Sequence, residues 1–143
     1  KIQKFDTYWE IGASVTMEQL RQETLDEWPD IKKMLDVFGS KQIRNVATIA
    51  GNVASASPIG DLLPLLMTHG AEIIIQSQGQ VRHEKLENFI VSYRKSSLMK
   101  DELITRIKLP IHKGWIFWTE KVSKRKQLDI STVSASFAFC RLC

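Results

Sequence analysis

The sequence lacks the features of several common protein classes. Only two of its 143 residues are cysteines, Cys140 and Cys143, and no second C-x-x-C or histidine pair could complete a zinc site with them. We expect strand residues with free thiols, because strand alternation would place the two side chains on opposite faces. No apolar run approaches the roughly 20 residues of a membrane-spanning helix, and no signal peptide is visible. These absences predict no metal site, no membrane insertion and a cytoplasmic location.

Charge of one sign is not in strong excess either. The 20 lysines and arginines against 16 aspartates and glutamates give a formal net charge of +4. A local basic run comprises Lys121, Lys124, Arg125 and Lys126, but no aromatic residues interleave with it, so we expect a solvated face and no nucleic-acid binding. With 43% hydrophobic and 25% charged residues, the composition is that of one globular domain, or one domain plus part of another. The chain opens on Lys1 rather than Met, which we expect of a fragment, of a processed chain, or of a chain whose disordered start is left out.

What the sequence does contain is a mixture of helical and strand patterns, which predicts an α+β fold. Thr16 and Gln19 form a capping box at the start of one helix, and Pro29 suits the first turn of a second helix that stops near Gly39. A third helix is expected over residues 58–69. Strands are expected over residues 9–15, 71–76, 81–84, 102–109, 115–122 and 130–142, the second and third of them joined as a hairpin. The last strand alternates, with apolar Val133, Ala135, Phe137 and Phe139, as in a strand that is buried on one face.

A boundary between two units is expected at residues 111–114. Residues 1–112 then form a mixed α/β unit, and residues 113–143 form the start of a β-rich unit. Two strands rarely stand alone in water, so we expect this second unit to be incomplete.

The stretch of residues 43–61 is poor in bulky side chains. IRNVATIAGNVASASPIGD offers a hydroxyl at Thr48, close backbone approach at Gly51, and polar side chains at Asn52 and Asp61. Such a loop can present successive backbone N–H groups to an anion, and an acid can accept hydrogen bonds from ribose hydroxyls. A second explanation is a tight crossing, where small residues let a helix and a strand pack closely. The residues alone leave both explanations open, because neither common phosphate-loop signature is present.

The pattern QIRNVATIAGNVASASPIGDLLPLL, from Gln42 to Leu66, resembles the FAD-binding domain of the molybdenum hydroxylases. Its ASPIGD segment looks most like the xanthine dehydrogenase branch of that family, including the small subunit of bacterial enzymes. The segments WEIGASVTMEQL, FIVSYRKSSLMKDELITRIKLP and EKVSKRKQLDISTVSASFAF also resemble family segments, so the likeness covers nearly the whole chain. It implies the second subdomain of a PCMH-type FAD-binding domain, followed by the start of a C-terminal flavoprotein subdomain like that of CO dehydrogenase.

The resemblance also implies which residues contact the cofactor. The matching positions are Phe38, Thr48, Ile49, Ala50, Gly51, Asn52, Asp61, Ile104, Lys121, Asp129 and Ile130. Residues 48–52 would lie over the pyrophosphate and ribose, Ile104 near the flavin ring, and Lys121 where positive charge favours the reduced flavin. Residues 129–130 would lie beside the exposed flavin edge, and Tyr93 would lie on the NAD side. No residue of this sequence matches a catalytic group or a metal ligand of the family. Simpler roles stay open: core packing for Phe38 and Ile104, helix capping for Asp61, and surface solvation for Lys121.

The sequence departs from the family pattern in two places. The family loop T-x-G-G-N reads Thr48-Ile49-Ala50-Gly51-Asn52 here, and a positive φ would be costly at Ala50. No G-G-(T/N)-(D/T) loop occurs in residues 1–40, so we expect the first flavin subdomain to be missing and the FAD cleft to have one wall. The isolated chain is therefore expected to bind FAD weakly or not at all and to be inactive.

The function that the resemblance implies is electron transfer within a xanthine dehydrogenase-like oxidoreductase. A molybdopterin centre on another domain or subunit oxidises a purine, two 2Fe-2S clusters carry the electrons to FAD, and NAD or oxygen accepts them. The implied partners are the iron–sulfur and molybdenum-binding parts of an oligomer. Two alternatives remain: the flavin subunit of a CO, nicotine or aromatic acyl-CoA oxidoreductase, and a non-enzymatic binding module that uses the basic run on an acidic partner.

Overall fold

The computed structural model describes residues 1–24, 27–125 and 129–140. The strands are β1 (Ile2–Lys4), β2 (Tyr8–Gly12), β3 (Glu72–Ser77), β4 (Gln80–Lys85), β5 (Ile90–Ser92), β6 (Lys95–Ser96), β7 (Leu103–Pro110), β8 (Trp115–Val122) and β9 (Val133–Cys140). The helices are α1 (Met17–Glu23), α2 (Pro29–Asp36), α3 (Lys41–Val46), α4 (Ile49–Ala54), α5 (Leu62–Thr68) and α6 (Leu86–Phe89). The predicted α+β class is confirmed.

Five strands form one antiparallel sheet in the order β1-β2-β7-β3-β4. Trp9 is paired with Leu109, and Ile107 is paired with Ile11 on one side and Ile73 on the other. All five side chains are almost fully buried. Because strand residues alternate between the two faces, this spacing gives the sheet an apolar face, and helices α4 and α6 pack against its strands.

Local signals in the sequence set the helix ends. Thr16 Oγ1 accepts the backbone N–H of Gln19 at 3.2 Å, and Gln19 Oε1 accepts that of Thr16 at 3.0 Å, so the predicted capping box is confirmed. Helix α2 begins at Pro29 as predicted. After its end Gly39 adopts a φ of +51°, a conformation that glycine reaches without strain.

The hairpin β8–β9 packs against helices α2 and α5 and is not part of the main sheet. Its outward face carries apolar side chains that are 44–58% exposed: Ile116, Trp118, Val122, Val133, Phe137 and Phe139. The inward face of β9 is polar, since Ser134 Oγ donates to the Asp61 carbonyl at 3.3 Å and Ser136 Oγ lies 3.0 Å from Thr119 Oγ1. On the same side of β8, Phe117 stacks on the buried His69 ring. The predicted final strand is therefore confirmed, but its polar face is the inner one because the helices present polar groups to it.

Several boundaries differ from the sequence-based expectation. The first predicted strand ends at Gly12 rather than residue 15, and the helix expected from residue 58 begins at Leu62. The expectation of free thiols is wrong for Cys140, which is in a disulfide; β9 ends at this residue, so strand alternation does not constrain the chain after it. Cys143 and Lys126 lie outside the described residues.

Two absences apply to the described part of the chain. None of its helices is long and apolar enough to cross a membrane. Within the same residues, no group of three or more His, Cys, Asp or Glu side chains could hold a metal ion.

Candidate functional site

Within the small-residue stretch, the segment predicted as a loop over residues 48–52 lies at the start of a short helix, α4. Thr48 caps this helix, because its Oγ1 accepts the backbone N–H of Gly51 at 3.1 Å. Ile49 and Val53 are fully buried and lie four residues apart, so they face the core together. Ala50 is therefore helical, and the cost expected for a positive φ at this residue does not arise.

The start of α4 is fixed by backbone pairing with the start of α1. Met17 N–H donates to the Ala47 carbonyl at 2.9 Å, and Ile49 N–H donates to the Val15 carbonyl at 3.2 Å. These two bonds bracket Thr48 on both sides. The position of Thr48 thus depends on residues more than 30 positions earlier in the chain, which local pattern does not reveal.

A cleft of about 460 Å³ lies beside α4. Its lining residues are Phe38, Asn52, Ser55, Ser57, Ile59, Gly60 and Arg94. Two of them, Phe38 and Asn52, were predicted as site residues. The other five were missed, although Ser55, Ser57 and Gly60 lie in the small-residue stretch and could have been inferred from it.

Asn52 is the unusual residue of this cleft. Its Oδ1 atom is buried and has no hydrogen-bond donor among the described residues. Buried polar atoms in folded proteins almost always have a partner, and leaving one without a partner costs about 1–3 kcal/mol. Next to it, a Cβ on Gly51 would lie 3.0 Å from Thr48 Oγ1, so a side chain there would displace the capping hydroxyl. Asn52 therefore lines the cleft with an unpaired acceptor, while the neighbouring Gly51, which is not a lining residue, leaves room for the Thr48 cap.

Arg44 and Glu18 hold the turn that carries Phe38. Arg44 Nη1 donates to the carbonyls of Phe38 at 3.2 Å and Gly39 at 3.1 Å, and its Nε donates to Glu18 at 2.7 Å. Hydrogen bonds from Arg21 and then Arg44 lower the pKa of the Glu18 carboxyl to about 2. Phe38 is half-buried against the core, so its core-packing role is confirmed and does not exclude a role as one wall of the cleft.

Asp61 and Lys121 form a buried ion pair next to the cleft. Lys121 Nζ donates to Asp61 Oδ2 at 2.6 Å, and the two side chains are 7% and 8% exposed. Ser131 Oγ donates to Asp61 Oδ1. Asp61 makes no capping hydrogen bond to α5, so the simpler role of helix cap is wrong, and Lys121 is not a solvated surface residue.

Apart from Phe38 and Asn52, the predicted positions are not among the residues that line the cleft. Ile104 is half-buried in β7 opposite Ile75, and Tyr93 is 74% exposed beside Arg94. Asp129 accepts the backbone N–H groups of Arg125 and Ile130, each at 3.0 Å. The bond from the Arg125 backbone is the main reason that the pKa of Asp129 is lowered. This carboxylate therefore links Arg125 to the residues that precede β9.

Comparison with known proteins shows which family the chain belongs to. Residues 1–112 match the FAD binding domain in molybdopterin dehydrogenase. The chain is 33% identical to a xanthine dehydrogenase of Emericella nidulans and 37% identical to a nicotinate hydroxylase of the same organism, each over 144 residues. These matches cover 92% and 89% of this chain but 11% of each relative, so the chain spans about a tenth of their length.

A solved structure supports the fold. Reconstituted CO dehydrogenase from Oligotropha carboxidovorans superposes with a TM-score of 0.90 at 24% identity, over 98% of this chain and 50% of that one. At this identity the likeness concerns the fold alone. The match over residues 1–112 and the relatives above 30% identity confirm the resemblance first seen in residues 42–66. The chain belongs to the FAD-binding domains of the molybdopterin dehydrogenase family.

Proposed function

We propose that this chain forms one wall of the FAD site in a xanthine dehydrogenase-like molybdenum hydroxylase. The observation that carries the proposal is Asn52, which lines the α4 cleft and whose buried Oδ1 has no hydrogen-bond donor among the described residues. The ribityl and ribose hydroxyls of FAD are donors of the kind that this atom lacks. When bound, FAD accepts electrons from one redox partner and passes them to another.

The residues around Asn52 suit the same ligand. Phe38 offers an apolar wall, and Ser55 and Ser57 offer hydroxyls that line the same cleft. Each carboxylate oxygen of Asp61 accepts one hydrogen bond from within the chain. A carboxylate oxygen can accept more than one, so Asp61 can also accept a hydrogen bond from a cofactor hydroxyl. Gly60, the residue before it, lines the cleft.

The proposed contacts of the other family positions rest on the resemblance. Ile104 would lie near the flavin ring, residues 129–130 beside its exposed edge, and Tyr93 on the NAD side. Lys121 would supply positive charge near the ring, although the adjacent Asp61 carboxylate offsets most of that charge. The basic-run alternative loses one of its four cations, because Lys121 is buried in an ion pair and not displayed to a partner.

For the whole protein, we place this chain between iron–sulfur clusters and an electron acceptor, NAD or oxygen. The proposed partners are the iron–sulfur and molybdenum-binding parts of an oligomeric enzyme. The xanthine dehydrogenase relatives support a purine substrate. The nicotinate hydroxylase relative supports a second candidate, an enzyme that hydroxylates a nitrogen-containing aromatic acid. The molybdenum-binding part determines the substrate, so xanthine and nicotinate turnover by the full-length protein distinguishes the two.

The hairpin β8–β9 is proposed as the first part of a second subdomain that starts at residue 113. Six apolar side chains on its outer face are exposed, and the hairpin is separate from the main sheet. A further layer on that face would bury them. This layer would come from another part of the full-length protein.

The proposal is tested by the flavin content of the purified full-length protein. We expect close to one FAD per chain, from the flavin absorbance band, and little FAD bound to residues 1–143 alone, because these residues supply one wall. A full-length protein that folds but takes up no FAD on reconstitution would contradict the proposal. Tight stoichiometric binding by the isolated chain would contradict the single-wall part of it.

A further inference from the structure

The Phe38 wall of the α4 cleft belongs to a turn that is held from elsewhere in the chain. This turn, residues 37–39, follows the last residue of α2, and we call it the Phe38 turn. Two of its N–H groups donate back to carbonyls of α2 at 3.2 and 3.3 Å, at the long end of hydrogen-bond lengths. Gly39 has a φ of +51°, a conformation that glycine allows but does not enforce. Helix α2 therefore holds the turn only loosely.

Arg44 supplies the shorter hydrogen bonds that fix the Phe38 turn. Its Nη1 donates to the carbonyls of Phe38 at 3.2 Å and Gly39 at 3.1 Å, and Lys121 Nζ adds a longer bond to the Val37 carbonyl at 3.5 Å. These carbonyls lie just beyond the carboxyl end of α2, where the negative end of the helix dipole favours a cation. The planar guanidinium presents several donors at fixed angles, so Arg44 attaches the turn to α3 in one geometry.

Glu18, on helix α1, holds Arg44 in that position. Arg44 Nε donates to Glu18 Oε2 at 2.7 Å, and Arg21 Nη2 donates to Glu18 Oε1 at 2.7 Å. The side chains of Glu18 and Arg44 are 7% and 13% exposed, so water screens their contact little. Hydrogen bonds from Arg21 and then Arg44 lower the pKa of Glu18 to about 2, which keeps the carboxylate charged at neutral pH. Glu18 does not line the cleft, so its influence there passes through Arg44.

We propose that Glu18 and Arg44 are positioning residues for the flavin cofactor. The pair fixes the Phe38 turn, and the turn places the Phe38 ring as one wall of the α4 cleft. A wall that is already ordered does not have to be ordered when the ligand binds, so a fixed ring raises the affinity. The inference rests on the proposed FAD function, because it concerns the same cleft. A purely structural pair would add stability without changing the affinity.

The test measures the affinity of the full-length apoprotein for FAD by calorimetry, with Glu18→Gln. Glutamine has one carbonyl oxygen and one NH2 group, so it accepts from one of the two arginines and turns a donor towards the other. Glu102→Gln is the matched control, because Glu102 is 8% exposed and its pKa is lowered to about 2 mainly by a hydrogen bond from Arg82. Neither Glu102 nor Arg82 lines the cleft. Thermal unfolding is used to check that each variant is folded.

We expect Glu18→Gln to weaken FAD binding by roughly three- to tenfold, the range for ordering a side chain on binding. Glu102→Gln should weaken it by less than about twofold, because its cluster is independent of the cleft. Arg44→Lys, which keeps one charged donor, should lose less affinity than Arg44→Met. A double-mutant cycle shows whether the effect passes through the ring: in a Phe38→Leu background, Glu18→Gln should cause less than about a twofold further loss.

The positioning role is contradicted if Glu18→Gln leaves the FAD affinity unchanged, if Glu102→Gln lowers it equally, or if the loss is the same with Phe38 and with Leu at that position. The proposed FAD function fails in a different way, when the wild-type apoprotein binds no FAD at all. Hydrogen exchange of the ligand-free full-length protein then tests the clamp by itself. The amides of residues 37–39 should exchange faster in Glu18→Gln than in wild type, and equal exchange would contradict the clamp.

Discussion

Removing Lys121 from its buried ion pair with Asp61 should lower the free energy of unfolding substantially. The paired atoms are 2.6 Å apart and the two side chains are 7% and 8% exposed, so Lys121→Met leaves a carboxylate buried with the Ser131 hydroxyl as its main donor. Removing one partner of a buried pair costs about 3–5 kcal/mol. The methionine keeps most of the aliphatic packing, so we expect the lower end, about 3 kcal/mol. With a urea dependence of about 1–3 kcal/mol per molar, the unfolding midpoint should fall by about 1–3 M.

Urea unfolding of the 143-residue chain, followed by tryptophan fluorescence, measures this loss. Lys85→Met is the matched control, because Lys85 and Glu87 form a pair at 3.8 Å with both side chains more than 60% exposed. Exposed pairs of this kind contribute about 0–1 kcal/mol. The double variant Lys121→Met with Asp61→Asn should recover much of the loss, since no uncompensated charge remains. A Lys121→Met chain that loses no more stability than the Lys85→Met chain would refute this reasoning.

Two further predictions concern acid stability and the hairpin. The folded-state pKa of Glu18 is about 2 against an ordinary 4.5, so its stabilisation is complete above pH 4.5 and is lost as the pH falls towards 2. As the pH falls from 4.5 to 2, the unfolding free energy of Glu18→Gln should therefore fall less steeply than that of wild type. Parallel curves for the two proteins would argue that the Arg21–Glu18–Arg44 cluster is not the source of the acid sensitivity. Phe137→Ser should change the stability of the 143-residue chain by about 0.5 kcal/mol or less, because the ring is 53% exposed. In the full-length protein, Phe137→Ser should lower the free energy of unfolding by several times that amount. Equal losses in the 143-residue chain and the full-length protein would show that no further layer covers the hairpin.

Short-range signals in the sequence were enough to predict several elements. The capping box at Thr16, the proline at position 29 and the hairpin turn at Gly79 each act within four or five residues, so local pattern identifies them. Strand β8 was predicted with its observed limits, Trp115–Val122, because apolar residues and a preceding Gly114 mark it. The family pattern in residues 42–66 identified the cofactor before any geometry was known.

Long-range contacts explain what the sequence did not predict. Helix α4 was taken for a loop because its residues are small, and it forms because Ile49 and Val53 are buried against other elements. The polar face of β9 turned inward because residues from α5 lie under it, and strand alternation cannot say which face is covered. Asp61 and Lys121 are 60 residues apart, and Arg94 reaches the cleft from a separate loop, so neither relation is visible in one local segment.

The affinity of the full-length apoprotein for FAD, with Asn52→Ala, tests the central claim most directly. Asn45→Ala is the control, because Asn45 is an exposed asparagine on helix α3. If Asn52 Oδ1 accepts a hydrogen bond from the cofactor, the variant should bind FAD at least roughly tenfold more weakly, whereas the control should match wild type. Equal FAD dissociation constants for wild type, Asn52→Ala and Asn45→Ala would contradict the account.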